Sequence, residues 1–175
     1  MASDAAKRAA IEARIPHRDP FLLLDELVDE GPNWIVTRWT PPRTLPAFAG
    51  HYPGQPILPG VLISEMCFQS AALLLAGPAD ARAAGAGIPV LTRIHDARFK
   101  RMVKPGETLE ARVEELERLQ NARFLRATVR VDGQLALRIS FAVAEAPADD
   151  AAASATSASR PNPAQGRLPH ERLGS

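Results

Sequence analysis

The chain has 175 residues and an ordinary apolar fraction, which suits one globular domain with an extension. A net charge of +1 gives no overall attraction to nucleic acid or to a membrane surface, and no apolar run approaches the roughly 20 residues that span a bilayer. The start of the chain has no secretory signal pattern, so we expect a cytoplasmic protein. The single cysteine, Cys67, excludes an intramolecular disulfide and fits a small buried hydrophobe.

The first forty residues contain one helix signal and one strand signal. Residues 4–14 fit a short amphipathic helix with Asp4 as its cap. The apolar run Phe21 to Leu24 should anchor on the core. Residues 33–40 have the β-branched and aromatic content of a strand, and the prolines that follow should end it.

A loop rich in proline and glycine follows, and it carries His51. Residues 50–60 read GHYPGQPILPG. Proline fixes φ and glycine permits conformations closed to other residues, so a loop built from both should hold one conformation. We therefore predict a stiff loop that presents the histidine.

The next segment predicts a long buried helix from Gly60 or Val61 to Gly77. It is apolar nearly all round, as expected for a helix covered on most sides. Glu65 and Gln69 are four residues apart and should share one face. A carboxylate in such a helix requires a partner or a chemical role, because burying an unpaired charge is costly.

After a small-residue linker, Ala79 to Gly87, the hydrophobic period changes from 3.6 to 2. Leu91 to Val103, residues 125–131 and residues 135–143 are predicted strands, and Asp132-Gly133 is a predicted hairpin turn. Residues 109–116 fit either a helix or a strand. The turns on both sides favour a strand in an antiparallel series.

These elements predict an α+β protein in which a curved antiparallel sheet wraps around one long central helix. The strands after the helix are expected to form a meander. We divide the chain into an N-terminal helix or arm (residues 1–13), a main domain (residues 14–145) and a tail (residues 146–175). The tail is rich in Ala, Ser and Pro, and we expect it to be disordered.

This organisation resembles the hotdog fold, and its centre resembles the single-domain 3-hydroxyacyl-acyl-carrier-protein dehydratases of fatty acid elongation. Their pattern is Gly-His-Phe-Pro-Gly-x-Pro-x-x-Pro-Gly-Val-Leu, followed by a glutamate and a glutamine four residues later. Here it stands as GHYPGQPILPGVL, Glu65 and Gln69, with Tyr52 in place of phenylalanine. The segments IPHRDPFLLLDE and ARFKRMVKPGETL also resemble the family, so the resemblance covers about residues 14–145.

The chain departs from the family pattern in two places. Residues 44–48 read TLPAF where the family has Asn-Glu-Pro-Phe-Phe, and the helix reads SEMCFQ where the family is alanine-rich. Both positions lie near the substrate tunnel of the family. The departures therefore concern acyl-chain preference more than chemistry.

The resemblance implies loss of water from a (3R)-3-hydroxyacyl thioester to give a trans-2-enoyl thioester. His51 would be the base that removes the Cα proton, and Glu65 the acid that protonates the leaving hydroxyl. Burial would favour the protonated acid and the helix N-terminus would oppose it. Gly60, with Val61 beside it, would bind the substrate and donate to the thioester oxygen. No metal or bound organic cofactor is implied.

In the family, each active site is formed by residues of two protomers. The resemblance therefore implies a homodimer, often assembled into a trimer of dimers. The substrate would arrive on the phosphopantetheine arm of acyl carrier protein. An acidic carrier protein would fit a basic patch, although the same run also fits a plain solvated strand face. The patch consists of Arg98, Lys100, Arg101 and Lys104, and Gln69 and Tyr52 would support the catalytic pair.

Two alternatives accompany these assignments. His17 is interpreted as a packing or turn residue, and the spacing of His17, His51 and His95 does not match a metal site.

A hotdog protein could also bind an acyl thioester without turnover, or hydrolyse it. The presence of both His51 and Glu65 favours the dehydratase.

Overall fold

The computed structural model describes residues 3–78 and 87–146. This part of the chain forms an antiparallel sheet of six strands around one long helix. The elements are α1 (Asp4–Glu12), β1 (Glu26–Gly31), β2 (Trp34–Trp39), α2 (Pro46–His51), α3 (Gly60–Ala76), β3 (Ile88–Phe99), β4 (Leu109–Leu119), β5 (Ala122–Val131) and β6 (Gln134–Ala146). The predicted α+β architecture with a central helix is confirmed.

The strand order is β1-β2-β4-β5-β6-β3, which is not the simple meander expected after the helix. Strands β4, β5 and β6 follow one another as hairpins, whereas β3 pairs with β6. The place beside β4 is taken by β2, a strand that precedes the helix. The free edge of β6 is therefore the position that remains for β3, which becomes an edge strand.

One face of the sheet packs on α3 and forms the core. Alternate residues of the strands point to this face, as the two-residue period of a strand requires. Ser70 and Ala71 in the middle of α3 are small, so the sheet can approach closely, and the Ser70 Oγ lies 2.7 Å from the Thr37 Oγ1. Fully buried members of this core are Ile35, Met66, Leu73, Val113, Leu125, Ala127, Ile139 and Phe141.

The segment between α1 and β1 packs along α3. The α1 helix is capped by Ser3, whose Oγ accepts from the Ala6 N–H at 3.3 Å, and not by Asp4 as expected. The N-cap side chain must precede the first turn, and Asp4 already lies in that turn. Leu22 to Leu24 are buried as expected for an anchor, but Phe21 is 53% exposed.

Turn chemistry was the most accurate part of the sequence prediction. Gly77 ends α3 at a positive φ of 66°, and Asp132 and Gly133 form the β5–β6 turn at φ values of 50° and 75°. Residues 109–119 form strand β4, which confirms the strand reading. Two short elements, β1 and α2, were not predicted.

Some predictions are only partly covered by the description. Ala146, the first residue of the predicted tail, pairs with Ile88 as the last residue of β6, and the rest of the tail lies outside the described residues. So does the linker at residues 79–86. The division into arm, domain and tail stays a prediction. None of the described helices is long and apolar enough to cross a membrane.

Candidate active site

His51 is the last residue of helix α2, and not part of the stiff loop that the sequence predicts. The helix begins with Pro46, whose fixed φ suits the first helical turn. The irregular segment starts after His51, and Gly54 within it has a positive φ of 85°. A short helix followed by a constrained turn therefore places the histidine.

The orientation of the His51 ring is set by a backbone carbonyl. Its Nδ1 lies 3.3 Å from the oxygen of Ile57. A carbonyl oxygen only accepts, so Nδ1 carries a hydrogen, and in the neutral ring Nε2 keeps its lone pair. The ring meets the Tyr52 ring edge-on at a centroid distance of 4.4 Å, and both side chains are exposed on the single chain. The Ile57 contact thus leaves Nε2 as the acceptor nitrogen of the neutral ring.

Glu65 is held from one side by Gln69, which is fully buried. The Gln69 Oε1 accepts from the Leu23 N–H at 2.8 Å, and its Nε2 donates to the Phe21 oxygen at 2.7 Å. These two backbone partners distinguish the oxygen of the Gln69 amide from its nitrogen. The second hydrogen of Nε2 then points to the Glu65 Oε1 at 3.0 Å.

This hydrogen bond occupies one oxygen of Glu65. In a neutral carboxylic acid the carbonyl oxygen is a better acceptor than the hydroxyl oxygen, so an amide donor on Oε1 favours Oε2 as the oxygen that carries a proton. Gln69 thus orients the acid, beyond the supporting role the sequence suggested.

The N-terminus of α3 offers free backbone donors. Pro59 caps the helix without a side-chain hydrogen bond, and its carbonyl accepts from the N–H groups of Leu62 and Ile63. Within the described residues no acceptor is recorded for the N–H groups of Gly60 and Val61. The Val61 side chain is 74% exposed.

The Phe99 ring packs directly against Gly60. A Cβ on Gly60 would lie 2.8 Å from a ring carbon of Phe99, which is closer than real Cβ atoms come. The absence of a side chain therefore lets the Phe99 ring lie against the start of α3.

His51 and Glu65 are not joined to each other within the described part of one chain. Among the described residues, neither a hydrogen bond nor an ion pair links His51 to Glu65. Glu65 contacts Gln69, which in turn binds the Phe21 oxygen, whereas His51 contacts Ile57 and Tyr52. The structure brings together Glu65 with Gln69, and His51 with Tyr52, as two separate halves.

The basic patch is partly neutralised by carboxylates. Arg98 pairs with Asp96 at 2.9 Å, and Arg101 pairs with Glu107. For the exposed Lys100 and Lys104 side chains, the described part of the chain records no ion pair. The two lysines are therefore the available cations of the patch.

His17 is half-buried in the turn after α1, which is compatible with the packing or turn residue that the sequence suggests. Burial lowers the pKa of the His17 imidazole, the charge of Glu65 raises it and Arg18 lowers it. Cys67 is buried as expected; burial raises the pKa of its thiol far above the usual range, and Glu65 adds to this. The described residues contain no cluster of His, Cys, Asp and Glu able to hold a metal ion.

The fold and the two halves of the site define a hotdog protein with a glutamate in its central helix and a histidine beside that helix. Among solved structures, the dehydratase heterocomplex ApeI:P from Xenorhabdus doucetiae matches with a TM-score of 0.71 at 14% identity, covering 83% of this chain and 97% of that one. A hypothetical thioesterase with coenzyme A from Streptococcus pneumoniae matches with a TM-score of 0.53 at 10% identity, over 70% and 85% of the two chains. At these identities the likeness shows the fold alone.

Sequence comparison identifies the family. The model of the ApeI dehydratases, described as ApeI-like, matches residues 28–136, and the chain belongs to this family. A 3-hydroxyacyl-[acyl-carrier-protein] dehydratase FabZ from Mannheimia succiniciproducens is 42% identical over 70% of this chain and 81% of its own length. The same-named protein of Granulibacter bethesdensis is 39% identical over 77% and 79%. The resemblance seen in the motifs is confirmed.

Proposed function

We propose that this protein dehydrates (3R)-3-hydroxyacyl thioesters on acyl carrier protein to trans-2-enoyl thioesters, in fatty acid or related acyl-chain synthesis. Its relatives carry the name of this activity. The observation that carries the proposal is the Gln69 amide, which holds the Glu65 Oε1 and leaves Oε2 available to carry a proton. An oriented carboxylic acid in an apolar helix suits protonation of a leaving hydroxyl better than attack on a thioester carbonyl.

The first step is removal of a proton from the Cα of the substrate. The Nε2 of His51 takes this proton, since Nδ1 is already protonated and faces the Ile57 oxygen. Histidine is the side chain that most often serves as a general base. Tyr52 lies edge-on to this ring.

Negative charge then develops on the thioester oxygen. The free N–H of Gly60, with that of Val61 beside it, would donate to this oxygen at the N-terminus of α3. Loss of one such donor typically costs about 3–4 kcal/mol of transition-state stabilisation. Glu65 finally gives its Oε2 proton to the 3-hydroxyl, which leaves as water. No step of this scheme uses a metal or an organic cofactor.

A second copy of the chain would complete the site. Leu91 and Ile94 of β3 pair with Val143 and Phe141, and paired residues share one sheet face, so both lie on the core face. They are nevertheless 37% and 48% exposed, and one edge of β3 is unpaired. A long apolar edge strand normally requires cover. We propose a homodimer through β3, in which His51 of one copy meets Glu65 of the other, with a trimer of dimers as a further assembly.

Acyl carrier protein would dock beside the start of α3. Lys100 and Lys104 follow Phe99, whose ring lies against Gly60, so the free cations are close to the proposed oxyanion donor. They suit the phosphate of a phosphopantetheine arm and an acidic protein surface. The cytoplasmic location expected from the sequence stays a prediction.

The proposal is tested by incubating the purified protein with 3-hydroxyacyl and trans-2-enoyl carrier-protein thioesters and following them by mass spectrometry. We expect loss of one water from the first and gain of one water by the second. The His51→Gln and Glu65→Gln variants should be about 10²–10⁴-fold slower, the usual contribution of a general acid or base. Release of free fatty acid would identify a thioesterase instead, and absence of any turnover would overturn the enzymatic role.

A further inference from the structure

One face of α3 is left open between the sheet and the segment that precedes β1. The sheet covers one side of the helix, where Met66 is fully buried. On the other side, Gln69 is bound to the backbone of Phe21 and Leu23. Between the two, side chains spaced three, four or seven residues apart are half-buried or exposed and share one face. This open face consists of Val61, Glu65, Phe68 and Leu75, so it is apolar apart from the proposed acid.

The proposed reaction sets the direction of the substrate on the open face. The thioester oxygen would lie at the N–H of Gly60, and the 3-hydroxyl would lie at Glu65, about 7.5 Å further along the helix axis. The acyl carbons beyond the hydroxyl therefore continue towards the C-terminal end of α3. The next side chain of the open face in that direction is Phe68, whose Cα lies about 4.5 Å past that of Glu65 along the axis.

The Phe68 ring is held in place by the core beneath it. It meets the Phe141 ring edge-on at a centroid distance of 4.9 Å and an interplanar angle of 72°. Phe141 is fully buried in β6, so it provides a fixed support. Because helical side chains lean towards the N-terminus of their helix, the Phe68 ring is directed towards the level of Glu65. The ring therefore forms a wall close to the acid.

Phe68 also belongs to the helix segment in which this chain departs from the family pattern. Residues 64–69 read SEMCFQ, with Met66, Cys67 and Phe68 where the pattern is alanine-rich. Met66 and Cys67 are fully buried against the sheet, whereas Phe68 is half-buried. Of these three side chains, Phe68 alone reaches the open face. A consequence of this departure for the substrate must therefore act through Phe68.

We propose that Phe68 limits the length of the acyl chain, so that the enzyme prefers short 3-hydroxyacyl thioesters to long ones. The inference rests on the proposed function, which places the 3-hydroxyl at Glu65. A short apolar tail ends beside the ring and gains contact with it. A longer tail would have to displace a side chain that is packed on Phe141.

The ratio of kcat/KM for 3-hydroxydecanoyl over 3-hydroxybutyryl carrier protein measures this limit. The wild-type protein should favour the butyryl substrate, and Phe68→Ala should raise the ratio by about tenfold or more, because even one methylene in an apolar pocket is worth that much. Phe68→Leu keeps an apolar contact with Phe141 and should move the ratio in the same direction, which covers the case in which Phe68→Ala does not fold.

Phe124→Ala is the matched control. It removes the same half-buried side chain from the opposite face of the sheet, since the adjacent Leu125 lies on the core face. A loss of stability alone would lower turnover of both substrates and leave the ratio unchanged. A wild-type preference for the decanoyl substrate, an unchanged ratio in both Phe68 variants, or an equal change in Phe124→Ala would overturn the inference.

A binding measurement without turnover separates this inference from the proposed reaction. Saturated acyl groups cannot lose water, so titration calorimetry with decanoyl and butyryl carrier protein reports on the acyl site alone. Phe68→Ala should bind the decanoyl form about tenfold or more tightly than the wild-type protein, with a similar Kd for the butyryl form. This result without any dehydration would refute only the proposed reaction. Dehydration with equal decanoyl affinities in the two proteins would refute the role of Phe68 and leave the reaction standing.

Discussion

The acid half and the base half of the site are built differently. Glu65 is tied by Gln69 to the backbone of Phe21 and Leu23, and Gln69 is fully buried. His51 rests on one carbonyl at 3.3 Å, and its neighbour Tyr52 is 54% exposed. The surroundings of Glu65 are complete within a single chain, whereas His51 lies on the surface. Folding of the monomer therefore orders Glu65, and association of two copies would order His51.

Gly60→Ala should have the largest effect among substitutions outside the acid-base pair. The new Cβ would lie 2.8 Å from the Phe99 ring, so the ring or the first turn of α3 must shift. Loss of one aligned N–H donor predicts a kcat reduced by about 10²–10³-fold. Gly50→Ala is the matched control, because a Cβ there meets nothing within 4 Å. Equal activity of the two variants would refute the oxyanion role of Gly60.

Ile94→Glu should weaken the proposed dimer, in which His51 of one copy would meet Glu65 of the other. The side chain lies on the core face of β3 but is 48% exposed in the single chain, so a charge there opposes burial by a second copy. Loss of a central interface contact of about 2 kcal/mol predicts a dimer dissociation constant raised ~30-fold. Sedimentation analysis measures it. Leu116→Glu changes an equally exposed apolar residue on β4 and should leave the dimer intact.

Gln69→Leu should disturb the part of the site that holds Glu65, and it should affect the stability of the protein more than its rate. The Leu23 N–H and the Phe21 oxygen would each lose a partner, at about 1–3 kcal/mol for each group that stays buried. We expect a lower melting temperature and a kcat reduced about tenfold, because Glu65 loses its orienting donor. Ser70→Ala removes a neighbouring buried hydrogen bond to Thr37 and should cost stability without this loss of kcat. A normal kcat in Gln69→Leu would argue against the orientation of the acid by Gln69.

The sequence was sufficient where local chemistry decides the structure. The Gly77 helix end and the Asp132-Gly133 turn follow from residues that tolerate positive φ, and the alternation in residues 135–143 follows from one buried face. The motif at residues 50–60, together with Glu65 and Gln69, gave the family and the candidate pair. These features depend on neighbours in the chain.

The rest depends on contacts between distant segments. Strand β1 is acidic and has weak strand propensity, and it exists because it pairs with β2. Strand β3 is placed at the edge by the strands that occupy the other positions. The anchoring of the Phe21 segment on α3 likewise joins residues 48 positions apart, Phe21 and Gln69. Such contacts leave no periodic signal in a single sequence.

In the proposed site a base from one copy works with an acid from the other. Co-expression of His51→Ala with Glu65→Ala, followed by isolation of the mixed dimers, tests this arrangement. Each mixed dimer contains one intact site of two, which predicts about half of wild-type turnover for the isolated mixed dimers and, with random pairing, about a quarter for the unseparated population. Activity no higher than that of either variant alone would contradict the shared site and place both residues of a working pair on the same chain.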